Sequence, residues 1–355
     1  MAEDKTFDEI MESITSGITG EWEHDRGYLK EQMEAKKDHP LSKEILRACG
    51  RLMYELIPEE KRSELERVMG NHRSATDTTL EEAAFNMGKG NWAKALELIE
   101  PLAAKMDSLV ESDWNADDSE SRYFNLRSVT DEVVWRTHNE EPRTIRGATE
   151  PFARIYFTYG SCLFEAQRYD EAIEACSKAI RWNPADVGLR FELGENYKRL
   201  GDMKSYERIL NELYPYVATA AELAHYHRAM GYLHIELGNF KLAAAHLMVS
   251  LFFENSSLPL SEVMYIKMQY GQDYTDMTPQ DALDVLRKAG EKVFPDEDTF
   301  DALNQLLRVS FRHGDYQTTL TTAIELYNFT HSEEYEKIAR QLTEALDGGS
   351  GEDEG

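Results

Sequence analysis

Along most of this 355-residue chain, apolar and small residues recur in steps of three and four, the period that places side chains on one face of an α-helix. The stretch "AQRYDEAIEACSKAIRWNPAD", residues 166–186, is the plainest case. Ala172, Cys176 and Ala179 form one stripe. Pro184 ends it, because proline lacks the amide hydrogen and clashes with helical geometry. The following stretch, "GLRFELGENYKRLGDMKSYERIL", repeats the pattern. Gly160 aligns with Gly194, Leu163 with Tyr197, Tyr169 with Met203 and Cys176 with Leu210, each partner 34 residues on. Turns at Gln167-Arg168 and at Gly201-Asp202 divide each unit into two predicted helices.

Further units are legible with more variation. "AAFNMGKGNWAKALELIEPL" supplies Ala83, Gly90, Trp92, Ala95 and Ile99. "RAMGYLHIELGNFKLAAAHLMVS" supplies Met230, Gly231, Gly238, Phe240, Ala243 and Leu247, displaced by extra residues around Tyr214-Pro215-Tyr216. A later unit keeps Ala282, Leu286 and Ala289 in its second helix but has a lengthened turn. The last keeps Leu306, Gly314, Tyr316 and Leu326, with Thr319 where alanine is usual.

These residues resemble the tetratricopeptide repeat, a helix–turn–helix unit of 34 residues with a W-x2-L-G-x2-Y…A-x3-F…P pattern. Tyr156, Tyr159, Gly160 and Leu163 take the first-helix places, and Ala172, Cys176, Ala179 and Pro184 the second-helix places. The resemblance covers roughly 76–109 and 152–330. It implies an all-α fold, a right-handed α-α superhelix with a helical N-terminal region and a C-terminal capping helix.

The expected divisions are a helical region at 1–75, a degenerate repeat unit at 76–109, an acidic loop and apolar insertion at 110–150, the array at 151–330, a capping helix at 331–346 and a disordered acidic tail at 347–355. In the first region, Phe7, Ile10, Met11, Ile14 and Ile18 make one apolar stripe. Ile45, Leu46, Cys49, Leu52, Met53 and Leu56 make another, and Pro58 suits the opening of a third helix. In the insertion, "DSLVESDWNADDSES" reads as a flexible acidic loop. The apolar residues of 122–135 must bury themselves, either along the concave groove of the array or as an ordinary connecting helix. In "SEEYEKIARQLTEAL", Ser332 is the expected N-cap, Tyr335 replaces the Glu or Gln of a capping box, and Ile338, Leu342 and Leu346 form one apolar stripe.

Charge narrows the partners. The formal net charge is −27, from 39 Lys+Arg against 66 Asp+Glu. Such a chain repels phosphate backbones and anionic lipid, so neither nucleic acid nor membrane is an expected partner. A basic or mixed-charge protein or peptide is. The acidic N-terminus shows no apolar run of signal-peptide length, and the three cysteines form no CxxC pair. A cytoplasmic, bacterial protein is expected.

Chemistry is sparse, and no catalytic residue, cofactor or metal is expected. There is no H-E-x-x-H, no GxxxxGK[ST] phosphate loop and no G-x-S-x-G elbow. Asp113, Asn115 and Asp117 imitate the first half of a calcium loop. Asp118 then stands in place of its glycine and Phe124 in place of its closing glutamate. His227 and His234 fall on the packed face of their repeat and read as core histidines.

Where first helices line a concave groove, as the resemblance implies, the candidate binding residues by register are Arg154, Phe157, Ser161 and Phe164, then Phe191, Glu195 and Lys198. The next units add His225, Arg228, Tyr232 and Ile235, then Asn304, Arg308 and Phe311. The Lys/Asn/Arg clamp by which some members bind acidic chaperone tails is replaced by Phe157, Ser161, Glu192 and His225. The sequence therefore reads as a non-enzymatic adaptor. The alternatives are a self-associating structural protein, forming a homodimer through its solenoid faces, and an enzyme or metal-binding effector using the N-terminal region or the acidic loop.

Overall fold

A computed structural model describes residues 7–37, 39, 42–56, 58, 75–112 and 115–349. The chain divides into two units, Met1–Lys105 and Met106–Gly355.

The first unit opens with α1 (Phe7–Thr15), α2 (Trp22–Ala35) and α3 (Ser42–Glu55). The two apolar stripes read from the sequence meet here. Ile10 and Ile14 pack with Leu29, Ile45 and Cys49, and Met11, Leu52, Met53 and Leu56 close around them. The helix expected after Pro58 falls on 59–74, outside the described residues. Two further helices follow, α4 (Ala75–Gly88) and α5 (Trp92–Glu111), separated by a turn at Gly90. Ala83, Ala95 and Ile99, the small and apolar places of the degenerate unit, are fully buried.

Asp25 anchors the entry to α2. Its buried carboxylate accepts hydrogen bonds from the Thr19 amide at 2.9 Å, the Gly20 amide at 2.7 Å and the Thr19 hydroxyl at 2.8 Å. Burial pushes its pKa up, but these donors and His24 outweigh it and hold the group at about 2.

The second unit takes in the end of α5 and then the insertion, whose residues 115–150 form a small sheet and a helix. Its strands β1 (Ser121–Phe124) and β2 (Thr144–Gly147) pair in parallel, Ser121 opposite Thr144 and Phe124 opposite Gly147. Parallel strands need a crossover, and α6 (Val129–His138) supplies it. This small sheet is an addition to the helical array; four-residue strands are too short to leave a period in the sequence. The acidic residues hold the insertion in place. Asp117 accepts from the Tyr123 amide at 3.0 Å and from Arg181 at 3.2 Å, while Asp118 accepts from the amides of Glu120 and Ser121. Asp117 is thus committed to protein donors, and Asp113 lies outside the described residues.

The apolar segment of 122–135 buries itself beside the turn that ends the first full repeat. Phe124 and Trp135 pack edge to face at 4.9 Å, with Ala185 and Tyr216 beside them. The Asn125 amide donates to the Trp182 carbonyl at 2.7 Å.

Helices then follow in pairs: α7 (Phe152–Glu165) with α8 (Tyr169–Trp182), α9 (Val187–Arg199) with α10 (Met203–Leu213) and α11 (Ala220–Glu236) with α12 (Phe240–Phe253); α13 (Leu258–Tyr270) and α14 (Pro279–Ala289) then each pack on α12, through Val263 and Ile266 and through Ala282 and Leu286. The final pair is α15 (Glu297–His313) and α16 (Tyr316–Thr330), followed by α17 (Glu333–Gly349). The architecture is the all-α repeat solenoid expected from the spacing. A short 3-10 turn at Tyr214–Tyr216 absorbs the extra residues before α11.

Helix pairs approach most closely at their small residues. A Cβ built on Gly160 would lie 2.9 Å from the Cys176 sulfur, and one on Gly231 would lie 2.8 Å from Cγ of Leu247. Thr319 occupies an alanine place without harm: its hydroxyl is buried and donates to the Asp315 carbonyl at 2.7 Å, with the Ser310 hydroxyl 3.0 Å away.

The last pair does not simply extend the stack. The His138 imidazole of α6 lies 2.7 Å from the Thr299 hydroxyl of α15, and the Ala220 amide at the start of α11 donates to Glu325 of α16 at 3.2 Å. Leu303, Leu307, Ala323, Leu326 and Phe329 enter one core with Val134, Val187, Leu223 and Tyr226. The capping helix α17 adds Ile338 to this core and is capped by Ser332, whose hydroxyl accepts from the Glu334 amide at 3.3 Å. It runs to Gly349, three residues further than expected; 350–355 lie outside the described residues.

Two predictions follow from these packing and capping arrangements. Gly231→Val overpacks the α11–α12 contact and lowers stability by about 1–3 kcal/mol in urea denaturation. For Asp25, whose pKa is depressed on folding, the contribution is complete above the ordinary Asp value of about 3.9. It is lost as pH falls through about 2. Hydrogen exchange of residues 7–35 between those values should therefore accelerate in the native chain, and Asp25→Asn should flatten that pH dependence.

Candidate functional site

Three successive first helices, α7, α9 and α11, bring ten of the expected groove residues onto adjoining faces. Between α7 and α9, the Ser161 hydroxyl donates to Glu192, whose carboxyl is pushed up by burial. The guanidinium of Arg199 lies 5.6 Å from the centre of the Phe164 ring. Between α9 and α11, the Phe191 and His225 rings stack at 3.7 Å, and the Lys198 ammonium stands 4.2 Å from the centre of Tyr232. Lys198 also pairs with Glu195 at 3.1 Å, one turn away on its own helix. Each contact joins one repeat to the next, so the surface is assembled by the stacking itself.

The helical register explains why these side chains share a face. Residues three or four apart on a helix are neighbours, so Arg154, Phe157, Ser161 and Phe164 make one row, and His225, Arg228 and Tyr232 another. Depth differs along the rows. Arg154 and His225 are exposed, Phe157, Phe164, Lys198 and Tyr232 are half-buried, and Ser161 and Phe191 are buried. Phe191 thus belongs as much to the core as to the surface, in the same cluster as Leu303 and Leu307 of α15. Ile235 is also buried and packs with Ala243 and Leu247. Arg228 is engaged by Glu254 at 2.6 Å.

The remaining candidates, on α15, make a separate surface. Asn304 accepts a hydrogen bond from the Tyr335 hydroxyl of α17 at 2.7 Å. Together with Asp301, Gln305, Arg308 and Arg312 these two line an open cleft of about 720 Å³. Phe311 is exposed and meets Tyr316 edge to face at 6.2 Å. Tyr335, which fills the place of a capping-box glutamate, is used as a clasp on α15.

Known proteins share parts of this chain. Residues 153–186 match the family model described as tetratricopeptide repeat. The chain carries a tetratricopeptide repeat. That repeat is α7–α8 with the turn that follows, the same unit that supplies Arg154 through Phe164 to the surface above. A repeat of this kind supports a protein-interaction scaffold in general. Among curated proteins, FK506-binding protein 5 of Rhizopus delemar is 27% identical over 118 residues, which are 33% of this chain and 30% of that protein. The chain therefore spans less than a third of that relative. Solved structures similar to this chain include two Rap proteins. The Rap conjugation gene regulator of plasmid pLS20, in complex with a Phr peptide, has a TM-score of 0.38 at 12% identity, over 95% of this chain and 83% of that one. The apo form of RapI has a TM-score of 0.37 at 13% identity, over 96% and 97%.

Among the described residues, no helix is long and apolar enough to cross a membrane. The three cysteines are free and buried, and burial raises the pKa of each thiol. In that state they are small apolar side chains rather than nucleophiles.

Proposed function

We propose that this protein is a non-enzymatic adaptor whose α7–α9–α11 face binds a peptide or protein segment. The observation that carries the reading is the set of contacts across that face. Aromatic rings and cations from successive repeats are already paired there, with Phe191 on His225 and Lys198 over Tyr232. A surface held in place before binding loses little side-chain freedom on association. Aromatic and arginine side chains are also the residue types that dominate binding hot spots. Arg154 and His225 remain open to solvent at its margin. The net charge of −27 favours a basic or mixed-charge segment, drawn in by the field of the whole molecule and fixed by local contacts.

A displayed random-peptide library, selected on the intact chain, tests this reading. The selected peptides should be rich in basic and apolar residues. The variant Phe157→Ala, Tyr232→Ala, which removes two aromatic contacts of the face without changing its charge, should weaken the best of them by at least about tenfold, or about 1.4 kcal/mol. It leaves Phe191 in place, and circular dichroism checks that the variant folds, since Tyr232 packs on the core beside Tyr206. Failure to select any peptide, or equal binding by the variant, would rule the reading out.

A second reading, a homodimer, is favoured by one feature of α13. Leu260, Met264 and Met268 stand at successive turns, 53%, 44% and 81% exposed. An apolar row of this kind on a solvent face is a usual mark of an interface. If it is used, sedimentation equilibrium gives a concentration-dependent mass that Met264→Glu, Met268→Glu abolishes. A constant monomer mass removes this reading and leaves the first untouched.

A further inference from the structure

Three histidines meet where α11 packs on α12, and two of them face a carboxylate on the loop after α14. Their hydrogen bonds determine which ring atoms carry protons. The Val293 carbonyl only accepts, so Nε2 of His227, 3.0 Å away, carries a hydrogen and donates to it. In the neutral ring, Nδ1 of His227 is then an acceptor. Nδ1 of His246 lies 2.9 Å from it and must be the donor. That leaves Nε2 of His246 as a bare lone pair.

The lone pair faces a group that cannot satisfy it. Nε2 of His246 lies 3.8 Å from one oxygen of Glu291, and Nε2 of His234 lies 3.7 Å from the other. Neither distance is a hydrogen bond. Nε2 of His246 and both ring nitrogens of His234 have no hydrogen-bond partner, although His246 is fully buried and His234 only 7% exposed. Buried polar atoms without partners are costly, and the Nε2 lone pair of His246 facing the Glu291 carboxylate adds repulsion. A cation between them would engage Nε2 of His246, Nε2 of His234 and the Glu291 carboxylate together, with Nδ1 of His234 carrying that ring's hydrogen.

We propose that His234, His246 and Glu291 bind one divalent transition-metal ion of the Zn²⁺ class, with water completing the coordination. The donor set is two neutral imidazoles and a carboxylate, a combination suited to zinc. Their ligand atoms already lie within 4.8 Å of one another. Tetrahedral zinc at bond lengths of about 2.1 Å needs donor separations near 3.4 Å, so small side-chain adjustments suffice. His227 has the part of an orienting neighbour, fixing the tautomer of His246 through its Nδ1 contact. The ligands come from α11, α12 and the loop after α14, so the ion would staple three elements of the array.

Isothermal titration of Zn²⁺ into the chelator-stripped full chain tests the site, with Co²⁺ as a spectroscopic probe of coordination. The expected result is one ion per chain, a tetrahedral Co²⁺ spectrum and a raised melting temperature. Glu291→Gln and His234→Gln should each weaken Zn²⁺ binding by at least about tenfold, whereas His313→Gln, exposed at the end of α15, should leave it unchanged. Circular dichroism checks folding of each variant. If His234→Gln fails to fold, the half-exposed Glu291→Gln decides the question alone. The proposal is overturned by the absence of stoichiometric uptake, or by uptake that Glu291→Gln leaves unaltered.

Discussion

Helix pairs in this protein are set by how closely two backbones can approach at a few small residues. At Gly160 the space beside Cys176 is too narrow for a methyl group, and at Gly231 the same is true beside Leu247. Interiors packed at crystal-like density leave no slack for such a group. Once these contacts are made, the rotation and height of each second helix on its first are fixed. The rest follows from that. The stacked pairs bring Ser161 to Glu192, Phe191 to His225 and Lys198 to Tyr232, because each pair repeats the same geometry against its neighbour.

The periodic parts of the chain were legible for this reason. A contact that needs glycine or alanine leaves its mark in the sequence, as it does at Gly160, Ala172, Gly194 and Gly231. The stripes Ile10–Ile14 and Ile45–Cys49 were equally plain, since one buried helix face always shows as a three-and-four pattern. The two strands at 121–124 and 144–147 left no such mark. Their pairing depends on α6 crossing between them and on Asp117 and Asp118 binding nearby amides, and neither condition has a period. The acidic residues that read as a solvated loop are in fact what holds that loop down.

Site residues divide in the same way. The rows on α7, α9 and α11 were found because register alone puts them on a face. Register could not say how deep each residue lies, and Phe191 turned out to be buried by elements far away in sequence. The histidine cluster shows the limit more sharply. His227 and His234 looked like satisfied core residues on one helix; His227 is, with two partners, and His234 has none. His246 and Glu291 belong to other elements, and only the seating of Leu247 against Gly231 aligns α12 so that His246 meets them. No local spacing encodes that meeting.

The return of α15 and α16 to α6 and α11 changes how the array should come apart. An open repeat array touches only its neighbours, so its ends fray first and units can be added or removed with modest effect. Here, contacts such as His138 with Thr299 and Ala220 with Glu325 bridge 161 and 105 residues of chain. Loops of that length must close before those contacts form, which raises contact order and slows folding. The reward is cooperativity. The C-terminal pair acts as a fastener for the middle of the array, so residues 121–349 behave as one unit that opens all together.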